Sequence, residues 1–376
     1  MKRKLCAMLA IAVLAVAAAL VAATTSSGAA KKTVTINLYA SGDVNVQSLW
    51  QDHLIPGFEK SNPGIKVNLI FSEHGQNDTT TLARIGAAVK QRKWPGIDLV
   101  DGGLVTTLAI DGLTQPVTKS TAPNVKLVDK SLLTPVKGAA LPYRGSSVVL
   151  AYDSTNVASP PKTLSGLLAW IKSHPGKFTY NSPNTGGSGY SFAETVVDST
   201  LSQSTITQMV QGYPQQLESQ WKQGLDLLHS LNGSIYQGVY PNGNQAVLDL
   251  LAKGQIWMAP VWSDQSLTAL KNGQLPKTIK LTQIASPSFT GGAAYLGVPK
   301  TAKNKVDVYK FVNYVLSPAA QTQIINVMSG FPALPLKYLP KAIQNQFADV
   351  SANTLRQAYS SKTQSDFKAA WQQQVP

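Results

Sequence analysis

The chain has 376 residues, of which 43% are hydrophobic and only 14% charged, with a formal charge of +14. That length builds two domains of ordinary size, and that composition is globular rather than disordered. The basic residues stand mostly singly, with few clusters beyond Lys31–Lys32 and Arg92–Lys93; nucleic acid asks for a concentrated patch, so it is excluded as a partner, and attraction to anionic lipid or wall polymer is the plainer consequence of the charge.

The first residues read MKRKLCAMLAIAVLAVAAALVAATTSSGAA. Three basic residues precede an apolar run from Leu5 to Ala23, and small polar residues follow, which is the plan of a secretory signal peptide over residues 1–30. A retained membrane anchor is the competing reading. Removing Lys2, Arg3 and Lys4 takes the formal charge from +14 to +11. Cys6, the one cysteine, lies inside this segment, and the Arg3–Lys4–Leu5 before it does not suit lipid attachment. The exported chain is therefore expected without disulfide, thiolate nucleophile or cysteine metal site. No second long apolar run follows, so a soluble protein of the periplasm or extracellular space is expected.

Thr33–Tyr39 alternates as a strand and ends in Ala40–Ser41–Gly42–Asp43. Val46–Lys60 reads as a helix interrupted by Pro56, Ser61–Gly64 as a turn, and Ile65–Phe71 as a second strand. Thr79–Lys90 is a helix candidate; Trp94–Pro95–Gly96 turns the chain into a short strand, Ile97–Val100, which ends in Asp101–Gly102–Gly103. Alternating strand and helix argue for an α/β layer. Further on, strands are expected at Ser147–Tyr152, Gln255–Pro260 and Ala293–Val298. Helices are expected at Thr163–Ile171, Gly243–Lys253 and Lys305–Leu316, and over Leu201–Leu231 with a break near Gly212–Tyr213–Pro214. The polar, helical region after Ala333 should pack as a cap. This αβ pattern is too long for one comfortable core, so two lobes with a cleft are expected.

Enzyme patterns are poor. The four histidines, His53, His74, His174 and His229, show no metal-ligand spacing. Gly187–Ser188–Gly189 lacks the spacing of a hydrolase elbow, and no lysine follows the glycines of Phe178–Phe192 (FTYNSPNTGGSGYSF) as a phosphate-cradling loop requires.

Gly291–Pro335, GGAAYLGVPKTAKNKVDVYKFVNYVLSPAAQTQIINVMSGFPALP, resembles the late part of bacterial extracellular solute-binding proteins of ATP-driven importers. LYASGDVNVQSLWQDHLIPGFEKSNPGIKV near the start, GIDLVDGG after the third strand and GQIWMAPVWSD later on support the resemblance by their order and spacing. It implies a type II periplasmic-binding-protein fold, α/β, with a hinge and an interlobe cleft. Residues 31–150 plus 288–331 would form the first lobe and 151–287 plus 332–376 the second. It also implies a monomer without cofactor or catalysis, which captures a small-molecule solute and delivers it to an ABC permease in the membrane. A secreted module that binds wall or other polymer without transport is the alternative.

Candidate contacts follow the carboxyl ends of strands, where open α/β sheets bind ligands. Ser41 and Gly42, with Tyr39 as a wall, follow the first strand; Gly102 and Gly103 follow the third, where Asp101 either touches ligand or caps a helix. In the Phe178–Phe192 stretch the resemblance favours Ser188, Gly189 and Tyr190, a plain glycine turn being the other reading; a helix starting near Tyr190 would point its first amides at an anionic or polar group. Trp262 offers a flat face and Asp264 a carboxylate, as a tryptophan and an aspartate do in polyamine binders of this family. Core packing for Trp262 and helix capping by Asp264 compete with that reading. Tyr143, Tyr240 and Tyr295 are further candidates for the cleft wall. The solute's charge stays open. Trp262 and Asp264 suggest a thiamine-like compound or polyamine, the glycine-serine loop an organic phosphate or phosphonate, and a phosphorylated or zwitterionic compound would satisfy both. Converging tyrosines leave iron as a further alternative.

Overall fold

The computed structural model describes residues 33–285, 287–346 and 356–376. The expected signal peptide and Cys6 lie outside them. Strand β1 (Val34–Gly42) buries Ile36, Leu38 and Ala40 against one apolar cluster and Tyr39 against another, so it is covered on both faces. β2 (Ile65–Glu73) runs parallel to it from Val34↔Ile65 to Gly42↔Glu73, and β3 (Leu99–Asp101) is parallel on its other side. All three form where the sequence places strands but run past the expected ends Tyr39, Phe71 and Val100, to Gly42, Glu73 and Asp101. Between β1 and β2 the expected helix forms in pieces, Val44–Ser48 and Ile55–Ser61, joined by a π turn over Leu49–Leu54. The wider turn lets Pro56 sit in the first turn of a fresh helical segment, where it forfeits no needed hydrogen bond.

β4 (Thr114–Gln115) is a short edge. β5 (Leu141–Asp153) is the strand on which the architecture turns. Its first half, Leu141–Ser147, pairs antiparallel with β8 (Gly291–Pro299), and Arg144–Gly145 also pair with β9 (Phe331–Pro332). From Val148 onward it pairs instead with β6 (Met258–Trp262) and β7 (Ile279–Thr282). The order β2-β1-β3-β8-β5-β6 thus passes from one packed body to the other through β5. Only Ser147–Tyr152 read as strand in the sequence, because Pro142, Arg144 and Gly145 break the alternation upstream; a register irregularity between Pro142 and Arg144 marks the same spot.

Two sets of core residues correspond to the two lobes. The first gathers Leu38, Trp50, Phe58, Phe311 and Ile324 on one face of the sheet, and Ile85, Val105 and Leu108 on the other. The second gathers Phe178, Phe192, Trp221, Met258 and Trp371, with Leu248 and Val261 behind β6. Helix Gly187–Asp198 runs through the middle of this second body and is buried from Ser188 to Asp198. The chain after Ala333 is divided rather than one cap. Leu339 and Ile343 pack on Ile325 of the first lobe, while Tyr359 and helix Ser361–Gln374 pack in the second. Among the described residues no helix is long and apolar enough to cross a membrane.

Candidate functional site

The carboxyl ends of β1 and β3 form one wall of the space between the lobes. Tyr39 and Ser41 do not stand free there: the Tyr39 hydroxyl donates to Asp78 Oδ1 at 2.8 Å and the Ser41 hydroxyl to Asp78 Oδ2 at 3.1 Å. Gly42 has φ +154° and carries the chain to Asp43, whose carboxylate sits 2.7 Å from His74 Nδ1. Gly102, at φ +134°, is required for contact, because a Cβ there would lie 2.1 Å from Ser41 Oγ. Gly103 meets no such neighbour and precedes helix Leu104–Ile110. Asp101 neither caps that helix nor lines open space. It is buried, and its Oδ2 accepts from Trp50 Nε1 and from the Tyr143 hydroxyl, each at 2.8 Å.

Tyr143 is accordingly part of the floor's interior. Its neighbour Arg144, absent from the sequence reading, donates from Nε to the Tyr143 hydroxyl at 3.0 Å and from Nη1 to Asp264 Oδ2 at 3.2 Å. Asp264 also accepts from Ser146 Oγ at 2.5 Å. Arg144 and Ser146 lie on β5 and Asp264 in helix Ser263–Lys271, so this carboxylate ties the second lobe to the strand that joins the lobes. Capping, the alternative reading for Asp264, does not occur, since the residue before the helix is Trp262 and no side chain bonds its first amides. Burial alone would weaken the Arg144 charge, but Tyr143, Asp264 and Asp101 outweigh it and hold the proton firmly.

The glycine-rich stretch is organised by Asn181, also unforeseen. Asn181 Nδ2 donates to Gly186 O at 2.8 Å, and Oδ1 accepts from Ser188 Oγ at 2.7 Å and Gly189 N at 2.8 Å. Ser188 N and Oγ also reach Asn244 Oδ1, at 3.2 and 2.8 Å. The helix starts at Gly187, three residues before the expected Tyr190, and these two asparagines take its Ser188 and Gly189 amides. Ser188 and Gly189 are therefore the frame of the wall, and Tyr190 is buried edge-on against Phe367. Trp262, at the end of β6, is half-buried, and its indole lies against Gly187, where a Cβ would come within 2.7 Å of Cζ2. Two tyrosines fall elsewhere. Tyr240 bonds Asn232 and packs on Tyr180 and Trp371, and Tyr295 is buried with its hydroxyl on Leu132 O, because each ring fills its lobe's core.

The lobes meet at the mouth of this space. Asn244 Nδ2 donates to Asp43 Oδ2 at 2.6 Å, and Gly243, at φ +82°, leaves room for the His74 ring, 2.6 Å from where a Cβ would sit. Burial raises the carboxyl pKa of Asp43, Asp78 and Asp101 alike, against the lowering effect of the groups bonded to each. Three carboxylates, Asp43, Asp78 and Asp264, thus lie where the lobes meet, with Asp101 buried behind them; His74 pairs with Asp43 and Arg144 with Asp264. Among the described residues no group of three or more His, Cys, Asp or Glu is placed to hold a metal ion. Two surface cavities, of about 270 and 700 Å³, are lined by residues outside this space, such as Leu248 and Leu275 for the smaller and Ile206 and Val210 for the larger.

A profile of the bacterial extracellular solute-binding protein family matches residues 54–349. Among solved structures, the spermidine/putrescine ABC transporter substrate-binding protein PotD from Streptococcus pneumoniae is similar at TM-score 0.65 and 15% identity, over 92% of this chain and 100% of that one. The apo ferric ion-binding protein A of Pasteurella haemolytica is similar at TM-score 0.63 and 13% identity, over 91% and 95% of the two chains. Atu4243, a GABA receptor, is similar at TM-score 0.65 and 18% identity, over 91% and 98%. At these identities the likeness is one of fold. No curated protein sequence matches the chain.

Proposed function

The chain belongs to the bacterial extracellular solute-binding protein family, and on that premise we propose that it captures a small amine-bearing solute between its lobes and hands it to the membrane permease of an ATP-driven importer. One observation carries the choice of solute: a chain of formal charge +14 places Asp43, Asp78 and Asp264 where its lobes meet, with Asp101 buried behind them, and of these only Asp43 and Asp264 form an ion pair with a basic side chain, His74 and Arg144. Buried carboxylates without full compensation are costly, and a cation from solution relieves that cost on closing. Trp262 adds a flat aromatic face, to which ammonium groups are attracted. Two of the similar structures are named for amine-bearing solutes, spermidine/putrescine and GABA. Asp43 on one lobe and Asn244 on the other clasp the closed form, so a solute that touches both walls shifts the open–closed balance toward closure. Export by the signal peptide places the protein in the periplasm or extracellular space, and it acts as a monomer.

The test is thermal denaturation of refolded, dialysed protein against polyamines, short monoamines, thiamine, organic phosphates and neutral sugars. Refolding removes any solute carried through purification. Saturable stabilisation by one or more amines is expected. In Trp262→Ala the affinity for them should fall by about 2- to 10-fold, the range of an aromatic–cation contact. Stabilisation by sugars or phosphates alone, with no response to amines, overturns the reading.

A further inference from the structure

The sequence scatters its basic residues, but the fold gathers several of them at one pole of the first lobe. β1 starts at Val34 and β3 at Leu99, while antiparallel β8 ends at Pro299, so these three points lie at the end of the sheet away from the cleft. Helix Asp78–Lys90 runs toward the same end, from Asp78 beside Tyr39 to Lys90. Hydrogen bonds tie the loops there into one surface. Asp98 Oδ1 accepts from Trp94 Nε1 at 2.9 Å and from Lys303 N at 2.8 Å, Asn304 Nδ2 donates to Thr35 O at 3.1 Å, and Lys305 Nζ donates to Lys300 O at 2.8 Å. Lys303 Nζ stands 4.2 Å from the centroid of the Trp94 ring.

Lys90, Arg92, Lys93, Lys300 and Lys303 are exposed, and among the described residues none of them forms an ion pair. The acids of this end are already engaged: Asp98 is buried and bonded, Glu59 pairs with Lys66, Asp307 with Lys310, and Asp111 faces Lys362. Two apolar side chains stand out of the basic surface, Trp94 at 39% exposure and Val306 at 67%. The chain also enters the structure here, at Thr33, and in the sequence Lys31–Lys32 and the apolar run Leu5–Ala23 come before it. The residues between Ala23 and Thr33 span at most about 30 Å, so a bilayer that holds the run also holds this pole close. Resting on the export reading above, we infer that the pole is a docking face for the anionic lipid surface of the membrane across which the chain is exported. The unpaired cations meet lipid phosphates, and Trp94 sits at headgroup level with its ring among them. A soluble wall polyanion would answer the cations alone and leave Trp94 and Val306 in water, which is why the lipid surface is the better fit. β1, nine residues long, then holds the cleft about 30 Å from the lipid, open to solute and beside the membrane that carries the permease. Such contact is reversible, because salt screens it.

Vesicle flotation tests this with the chain from Lys31 onward, the exported form expected from the sequence, so that the apolar run plays no part. The probes are phosphatidylcholine vesicles with and without phosphatidylglycerol. Binding to the anionic vesicles alone is expected, fading at high salt. Lys90→Gln, Lys93→Gln, Lys300→Gln and Lys303→Gln together should weaken it by about 5-fold per charge removed. Lys172→Gln, Lys253→Gln, Lys277→Gln and Lys280→Gln, on exposed positions of the second lobe, give the same net charge and should leave most of the binding in place. Brominated lipid should quench tryptophan emission on binding, and Trp94→Phe should lose most of that quenching. Failure of wild type to float with anionic vesicles overturns the proposal. Equal loss in the two lysine variants also overturns it, by assigning the binding to net charge, and so does quenching that persists in Trp94→Phe, which puts another face on the lipid. Binding to soluble poly(glycerol phosphate) without binding to vesicles overturns it in favour of a wall polymer. The wild-type dependence on lipid charge and salt stands even if a variant fails to fold. Solute titration of the pole variant should match wild type, so failure of the docking face leaves the amine reading intact.

Discussion

A methyl group on Gly189 would lie 1.7 Å from the carbonyl oxygen of Asn181, a contact that nothing short of backbone movement relieves. Gly189→Ala is therefore expected to destabilise the second lobe by about 1–3 kcal/mol, read as a lowered denaturation midpoint without a change in the apparent solute class. Glu194 offers a second test at this scale. It is buried in helix Gly187–Asp198 with Oε1 accepting from Tyr359 N, and burial, reinforced by the nearby Asp198, pushes its carboxyl up to about 8. A group whose pKa is raised on folding contributes stability below its ordinary pKa and loses it as pH rises through the folded value. Stability should thus decline from about pH 4.5 to about pH 8 and then level off. Glu194→Gln, which keeps the acceptor for Tyr359, should flatten that slope; an unchanged pH profile of melting temperatures contradicts this account of Glu194.

The elements that meet across the cleft set the next prediction. Helix Gly243–Ala252 brings Asn244 to Asp43 at the end of β1, and the same Asn244 supports Ser188 at the start of helix Gly187–Asp198. Asn244→Ala leaves Asp43 buried without its donor from the other lobe, so solute affinity should fall by about 10-fold or more, as calorimetry would show; retained affinity would remove the clasp from the mechanism. These elements also show how far the sequence can be read. β1, β2 and β3 announce themselves by alternation, and the break at Gly212–Tyr213–Pro214 separates helix Gln203–Gln211 from the turns before Lys222–His229. Ser41 lies against Gly102, and Trp262 against Gly187 next to Ser188, because strand ends and glycine runs leave a mark in one dimension. Asn181 and Arg144 do not. Asn181 bonds Gly186, Ser188 and Gly189 within its own stretch, where an asparagine reads as an ordinary turn residue, and Arg144 meets Asp264, which lies far off in the sequence. Tyr240 and Tyr295 illustrate the converse: a tyrosine before a helix or within a strand reads alike whether its ring faces solute or core.

At the scale of the whole molecule, charge couples folding to the solute. Burial raises the pKa of Asp43, Asp78 and Asp101, so the folded, empty form favours their protonated forms. The sign follows: the folded, empty form is favoured below the ordinary carboxylate range and loses that advantage as pH rises through the raised values. A bound ammonium replaces the protons. Solute binding is thus expected to release protons and to tighten as pH rises from the ordinary carboxylate range, which calorimetry in two buffers of different ionisation enthalpy would register. The central claim, that two lobes close on a small amine, is tested most directly by small-angle X-ray scattering of the refolded protein, titrated with the amine that stabilises it most. The account predicts a fall in radius of gyration that saturates at one solute per chain and is lost in Asn244→Ala at the same solute concentration. A radius that stays constant while the solute binds to saturation would contradict it.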